Sequence, residues 1–486
     1  MPLARLMKNC WKNFQMRLLV CAKKYGLRSK VPNVDTTADS VKEAERPLDM
    51  HELSTAFKVL RPLNRLILAV SGGADSLALM ILCHEWLIEN SLSLSLYVAS
   101  VDHGLRPEAK DECALVAELA AQRGLPHATL TWRNNVSASN IQARARDARY
   151  QLLSDYAKSL GCRSIAVAHH RDDQAETFIM RLLRGSGVTG LGAMRVKQPV
   201  GDLTLVRPLL DIPKSRLLAS LRARDLQWIE DPSNHSDAYM RVRMRKLLPQ
   251  LAQEGGDASR LAATARRLQR ADAALDGVAS VFFLRHMRPE PGCALSMDPA
   301  DFMSLEEEFR LRLLRMMLVH VAGPAYPPRE EKLIAIDAAL LAMRETKIFD
   351  KRTMGGCCFD WSDGRVWIYR ELGRNPRTIL MQNNDPTDWH GLYTIHRPEV
   401  DQQLEVKLRD LGADGRALLT EAGLRFPAKA TMCGSIPSGL IEALPSIWWE
   451  NRPQYVIDWP EVASYAGVRV EIEKKNTRSV PNRGPM

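Results

Sequence analysis

Between Arg65 and about Leu226, short apolar runs alternate with longer stretches whose apolar residues recur at helical spacing. Residues 66–70, 94–101, 127–132, 164–168 and 203–206 predict strands. Three of these runs are apolar almost without interruption, which a sheet covered on both faces requires. Helical patterns fill the gaps, over 77–89, 107–123, 138–160, 172–183 and 213–223. Strand followed by helix, repeated in this way, predicts an α/β fold with a doubly wound parallel sheet. Ligands of such sheets lie beyond the carboxyl ends of the strands.

The texture changes after Pro249. Ala, Leu and Arg recur at helical spacing over 261–274, 305–319 and 330–342, predicting a helical region across 250–350. Two apolar runs then flank Asp363-Gly364, the pattern of a hairpin over 358–369. Residues 375–386 read as a linker and 387–470 as a small mixed or β-rich unit. The polar tail from Lys474 reads as disordered. Four regions result: a basic, partly disordered extension over 1–60, the α/β region over 61–249, the helical region over 250–350 and a C-terminal mixed or β-rich region over 351–486. No internal repeat is present.

At 486 residues and 45% hydrophobic content the chain fills several cores, so disorder is not its default. Nine cysteines occur without a CxxC pair, which argues against a disulfide framework and a zinc or iron-sulfur site and fits a reducing, cytoplasmic compartment. No apolar run reaches the roughly 18 residues that span a bilayer. The net charge of +10 is unevenly spread. Residues 1–34 carry eight Lys or Arg and no acid, and residues 238–270 carry eight against two acids. The second stretch suits a phosphate backbone. In the first, Leu3, Met7, Cys10, Trp11, Phe14 and Leu18 follow helical spacing, as in a transit peptide, a membrane-surface helix or a start assigned too far upstream. Nothing in that arm reads as chemistry, and a dispensable extension is expected.

Ser71-Gly72-Gly73-Ala74-Asp75-Ser76 ends the first strand. Two glycines let the main chain approach a ligand, and the following helix points its N-terminus at the same place, which favours an anion. The bland alternative is a capped strand-to-helix turn. The lysine of a Walker loop has no counterpart here. Asp102 and His103 end the second strand, placed for adenine or ribose contacts or simply as a turn cap and a satisfied polar residue. The densest constellation is Ala168 to Thr177, with two histidines, then Asp173 and Glu176 at i, i+3 spacing. It can ligate Mg²⁺, hold an amino group or take a proton from an amine nucleophile. The bland reading is a solvated helix start serving the dipole, which suits Asp172 better than the whole cluster. Arg146 and Arg149, one turn apart, either clamp phosphate or carboxylate or form a basic helix face. A glycine-rich loop over 184–192 suits close approach to a substrate, although such connections are common.

SGGADS, VDHGLR, ARARDARY, AHHRDDQAET, RGSGVTGLGAM, RPLL and WIEDPSN follow one another in the order and spacing of the tRNA(Ile)-lysidine synthetases, and residues 65–249 resemble that family of pyrophosphate-loop ATPases. The helical region and the hairpin resemble its appended tRNA-binding regions. The resemblance implies ATP-dependent ligation of L-lysine onto C2 of the wobble cytidine of a CAU-anticodon tRNA(Ile), through an adenylated cytidine, with ATP and Mg²⁺ as cofactors. It implies that Ser71, Gly72, Gly73, Ala74, Asp75 and Ser76, with Asp102 and His103, bind ATP and that Asp75 helps to hold Mg²⁺. It implies lysine handling by His169, Asp173 and Glu176, contact with the substrate or reacting phosphate by Arg146 and Arg149, and tRNA binding by Arg207, Trp228, Arg241, Arg243 and Arg245. Val242 stands where the family commonly has Asn. The competing readings are a tRNA 2-thiocytidine synthetase, which the missing CxxC disfavours, and a non-catalytic RNA-binding protein, which the intact acidic and histidine positions disfavour. The sequence leaves the oligomeric state open, a homodimer included.

Overall fold

A computed structural model describes residues 46–104, 108–132, 141–229, 240–323, 329–346, 350–373, 377–382, 385–424, 436–459 and 470–474. The N-terminal arm up to residue 45, most of the WIEDPSN motif, Leu105 and Arg106 of VDHGLR, and the tail beyond Lys474 lie outside them. The chain divides into two compact units between Gln269 and Arg270.

The first unit opens with helix α1 (Met50–Ala56), a 3-10 turn (Phe57–Leu60), strand β1 (Arg65–Ala69), α2 (Ala74–Glu89), β2 (Ser95–Asp102), α3 (Glu108–Ala121), β3 (His127–Thr131) and α4 (Ile141–Ser159). It continues with β4 (Ser164–Ala166), α5 (Arg171–Leu182), α6 (Val188–Leu191), β5 (Lys197–Val200), β6 (Leu203–Val206), α7 (Lys214–Arg222), α8 (Met240–Gln253) and the start of α9 (Ala258–His286). The six strands stand in the order β3-β2-β1-β4-β6-β5. All neighbours are parallel except β5 and β6, which form an antiparallel hairpin. The sequence pattern missed β5 because Lys-Gln-Pro-Val is polar and carries a proline. An edge strand tolerates Pro199, whose missing N–H removes no ladder bond.

The period-2 geometry of a strand explains the apolar run of β1. Leu66, Leu68 and Val70 join one core with Ala78, Leu82, Trp86, Leu217 and Leu221. Ile67, between them, joins a second core on the other face with Ala99, Leu153, Ala157 and Ile165. Burial on both faces excludes polar residues from either set of positions. Leu53, Phe57 and Leu60 belong to the first core, so residues 46–60, grouped with the extension on sequence grounds, are folded onto the sheet. Arg216 fastens them there through Glu52, at 2.6 and 3.0 Å, and the Pro47 carbonyl at 3.1 Å. Between β1 and β4 the winding of the sheet reverses, and a crevice opens at their carboxyl ends.

In the second unit, Arg288–Pro289, Leu295–Met297, Arg365–Arg370, Cys357–Ser362 and Arg352–Met354 stand side by side as a five-stranded antiparallel sheet. The expected hairpin is its centre. Asp363 and Gly364 both take positive φ, 48° and 75°, as a two-residue hairpin turn demands. Helices Glu307–Ala322 and Glu330–Thr346 supply Leu314, Met317 and Leu333 to its core. The region expected to be helical therefore also contributes two short strands, too brief for a periodic signal. Four- and three-stranded antiparallel sheets with two helices complete the unit.

Candidate active site

The SGGADS segment forms the crossing from β1 to α2. Helix α2 begins at Ala74, three residues earlier than the apolar pattern indicates, so Asp75 and Ser76 stand in its first turn. Gly73 is the N-cap and contributes no side chain, which leaves the first-turn N–H groups without a side-chain cap. Gly72 has φ +84°, and a Cβ there would lie 3.3 Å from both Cβ and the carbonyl oxygen of Glu112. Ser76 Oγ accepts from Ser71 N at 3.1 Å and donates to Gly73 O at 2.9 Å, fixing the loop from within.

The end of β4 faces this loop. His170 is 2% exposed and stands at the N-cap of α5, where the Asp173 carboxylate accepts from His170 N at 3.1 Å. Its ring lies within 3.3 Å of Asp173, 3.5 Å of Asp75 and 3.6 Å of Asp172. Burial opposes its charge, but Asp172, Asp75 and Asp173 outweigh that and raise its pKa to about 10. Lys214 Nζ reaches Asp75 at 3.5 Å. Against the effect of burial, His170 and Lys214 hold the Asp75 carboxyl below its ordinary value. Asp75 Oδ1 remains buried without a hydrogen-bond partner among the described residues. Among those residues no group of three His, Cys, Asp or Glu is arranged to hold a metal ion. A single free carboxylate oxygen still fits Mg²⁺, which usually takes one or two carboxylates beside substrate phosphates.

One turn along α5, Glu176 is fully buried. Its Oε1 accepts from Arg245 Nε at 2.9 Å and its Oε2 has no partner among the described residues. Burial, with a smaller push from Asp173, raises its pKa in spite of Arg245. At the end of β2, Asp102 Oδ1 accepts from Gly104 N at 2.8 Å, so this carboxylate caps the turn. His103 Nε2 accepts from Arg149 at 2.9 Å, and its ring meets Trp132 edge-on at 6.1 Å. Desolvation and the Arg149 charge lower its pKa to about 4, keeping the imidazole neutral.

Other expected residues fall elsewhere. Arg207, expected to touch tRNA, is 4% exposed. It donates to Arg195 O at 2.9 Å, Gln198 Oε1 at 3.0 Å and His169 Nδ1 at 3.3 Å, and so supports His169 from inside. Trp228 is half-buried against the first core. On α8, Arg241 and Arg243 are exposed while Val242 and Met244 are buried, so the valine at the family's Asn position is a packing residue. The Arg146 side chain lies outside the described residues. In the loop after α5, Arg181 donates to Gly190 O at 2.7 Å, and Gln174 bonds Met194 at 2.8 and 2.9 Å. A Cβ at Gly190 would lie 2.5 Å from Ser186 Cβ, so that glycine answers to the chain's own packing. His170 and Lys214 were missed as site residues. A polar N-cap three residues before Asp173 is a capping-box signal that points to His170, whereas no spacing rule links Lys214 to Asp75.

A family model described as a PP-loop domain matches residues 45–251. The chain is 41% identical to the tRNA(Ile)-lysidine synthase of Bradyrhizobium diazoefficiens, over 66% of this chain and 94% of that protein. It is 38% identical to that of Ruegeria pomeroyi, over 80% and 87%. It is 35% identical to that of Wolbachia pipientis wMel, over 68% and 76%.

Proposed function

The chain belongs to the tRNA(Ile)-lysidine synthase family, and we propose that the crevice between β1 and β4 carries out both halves of the ATP-dependent ligation of lysine to the wobble cytidine. The observation that carries this reading is the contact of the two motifs. Asp75 of the glycine loop and Asp173 of α5 share one buried imidazole, His170, so a triphosphate on the loop and an amine on α5 meet at one point.

In the first half, the cytosine O2 attacks the α-phosphorus of ATP and pyrophosphate leaves. Gly72, Gly73 and the first-turn N–H groups of α2 receive the phosphates, and Ser71 and Ser76 keep the loop in shape. Asp75 Oδ1 would hold Mg²⁺, which when bound offsets phosphate charge. Arg149 presents a guanidinium beside neutral His103, suited to the nucleotide. In the second half, the lysine ε-amine attacks C2 and AMP leaves. That amine has an ordinary pKa near 10.4 and arrives protonated. Glu176 and Asp173 bind the ammonium, and Glu176, whose burial raises its proton affinity, takes the proton. A single loop base turned into the crevice gives the enzyme access to C2. Arg241 and Arg243 on the exposed side of α8 meet the tRNA backbone. A reaction joining tRNA, ATP and free lysine belongs in the cytoplasm, and among the described residues no helix is long and apolar enough to cross a membrane.

The test is incubation of the full chain with ATP, Mg²⁺, labelled L-lysine and a CAU-anticodon tRNA(Ile) transcript. Label should enter the RNA with AMP and pyrophosphate released in equal amounts. Release of ADP and orthophosphate, or incorporation of sulfur in place of lysine, would refute the reading.

A further inference from the structure

Arg245 lies in the basic stretch that the sequence assigns to tRNA, yet its guanidinium turns inward. Helix α8 packs on α5 through Met244, Phe178 and Ile179. That contact carries Arg245 Nε to 2.9 Å from Glu176 Oε1, across 69 residues of chain. Glu176 is 0% exposed in this pair and Arg245 is 42% exposed. Arg241 and Arg243, four and two residues before Arg245 on the same helix, are exposed. The second oxygen of Glu176 is buried and has no hydrogen-bond partner among the described residues. A buried carboxylate with one oxygen anchored and the other open is an incomplete acceptor, and leaving it incomplete costs free energy that an incoming donor recovers.

We propose that Arg245 is a positioning residue for the lysine step: it anchors Oε1 of Glu176 and so presents Oε2 as the acceptor for the ε-ammonium of lysine. This rests on the reading of Glu176 as a lysine-binding group. The anchor matters because a carboxylate on a three-bond side chain has rotamers to choose from, and a ligand binding a mobile acceptor loses that freedom on binding. The guanidinium suits the task because it stays charged and its planar donor set fixes the carboxylate plane, which a lysine ammonium on a flexible stem does less well. Arg245 thereby acts through Glu176, while Arg241 and Arg243 act on the RNA.

The experiment follows lysine transfer in single turnovers on tRNA already adenylated by the full-length enzyme, with R245M, R245K, E176Q and R245M/E176Q compared over a range of L-lysine concentrations. Binding of the same tRNA is measured against salt. R245M should raise the lysine concentration needed for half-maximal transfer at least tenfold, R245K should recover part of that loss, and the slope of tRNA affinity on salt should stay as in the wild type. In the E176Q background, R245M should add less than a twofold further loss, because its route is already cut. Thermal melts of R245K and of the double variant guard against misfolding, since neither leaves a buried carboxylate without a cationic partner. A tRNA salt slope reduced by about one with lysine dependence unchanged would make Arg245 a phosphate contact and overturn the proposal. Independent, multiplicative losses in the double variant would overturn it too. If E176Q itself leaves lysine dependence unchanged, the lysine-binding reading of Glu176 falls first, which is a separate result.

Discussion

Replacing Glu176 by Gln should make the catalytic unit more stable while disabling lysine transfer. The side chain is fully buried, and burial raises its pKa from an ordinary 4.5 even with Arg245 alongside. A carboxyl whose folded pKa is raised adds stability below about pH 4.5 and loses it as pH climbs through the folded value, so ionised Glu176 is a cost at neutral pH. Gln keeps the shape, still accepts from Arg245 at its amide oxygen, and removes the charge. An unsatisfied buried polar group costs about 1–3 kcal/mol, more when charged, and the amide NH₂ keeps part of that cost. A net gain of about 1 kcal/mol follows, worth about 2–4 °C in melting temperature for a domain of this size. The advantage should shrink toward pH 4, where wild-type Glu176 is itself protonated. Lysine transfer should fall by about 10²–10⁴, the usual contribution of a positioned base. Calorimetric melts of both proteins between pH 4.5 and 8, beside labelled-lysine incorporation, make the check. A variant less stable than the wild type at pH 8, or transfer within threefold of it, would refute the reasoning.

Gly72→Ala should cost about 1–3 kcal/mol, from the left-handed φ and the 3.3 Å approach to Glu112, and should raise the KM for ATP more than that for lysine, read by steady-state kinetics. Arg207→Met should reduce turnover through His169 without changing the salt dependence of tRNA binding. Arg241→Gln should lower the salt slope by about one and leave the lysine KM alone, and filter binding at several salt concentrations separates the two. Leu68→Ala should destabilise the first unit by about 2–5 kcal/mol in urea unfolding, because its side chain is fully enclosed between β1 and α2.

Much of the first unit is legible in the sequence because its signals are local. Leu66 to Val70 alternate between two cores, and that needs only the period of a strand. The glycine loop and the acidic start of α5 are likewise contiguous motifs, so their chemistry shows in a dozen residues. What stays hidden depends on packing. Arg245 shares its basic stretch with Arg241, yet its guanidinium turns inward to Glu176 while Arg241 is exposed, and Arg207 is buried as well. A helix buries residues by the face it presents, and Val242 and Met244 set that face for α8 only once α5 is beside it. Strand β5 and the two short strands of the second unit fail for the opposite reason, being too short or too polar to carry a period.

The acids of the crevice explain why distant segments must close on it. Asp75, Asp173 and Glu176 would repel one another and lose their charge on burial, and cations from other parts of the chain offset this. His170 comes from the end of β4, Lys214 from the start of α7 and Arg245 from α8. His170 stands at the N-cap of the helix that carries Asp173 and Glu176, whereas Lys214 and Arg245 arrive on α7 and α8, so the geometry of the acids depends on those two helices being docked. Under the proposed mechanism the same acids receive a further cation, the lysine ammonium, and a carboxylate already saturated by protein cations would refuse it. Among the described residues, two buried acid oxygens of the crevice have no hydrogen-bond partner, Asp75 Oδ1 and Glu176 Oε2. One belongs to Asp75, which touches His170, and the other to Glu176, one turn along α5 from Asp173, so under the proposed mechanism one open acceptor serves the nucleotide half of the reaction and one the amine half.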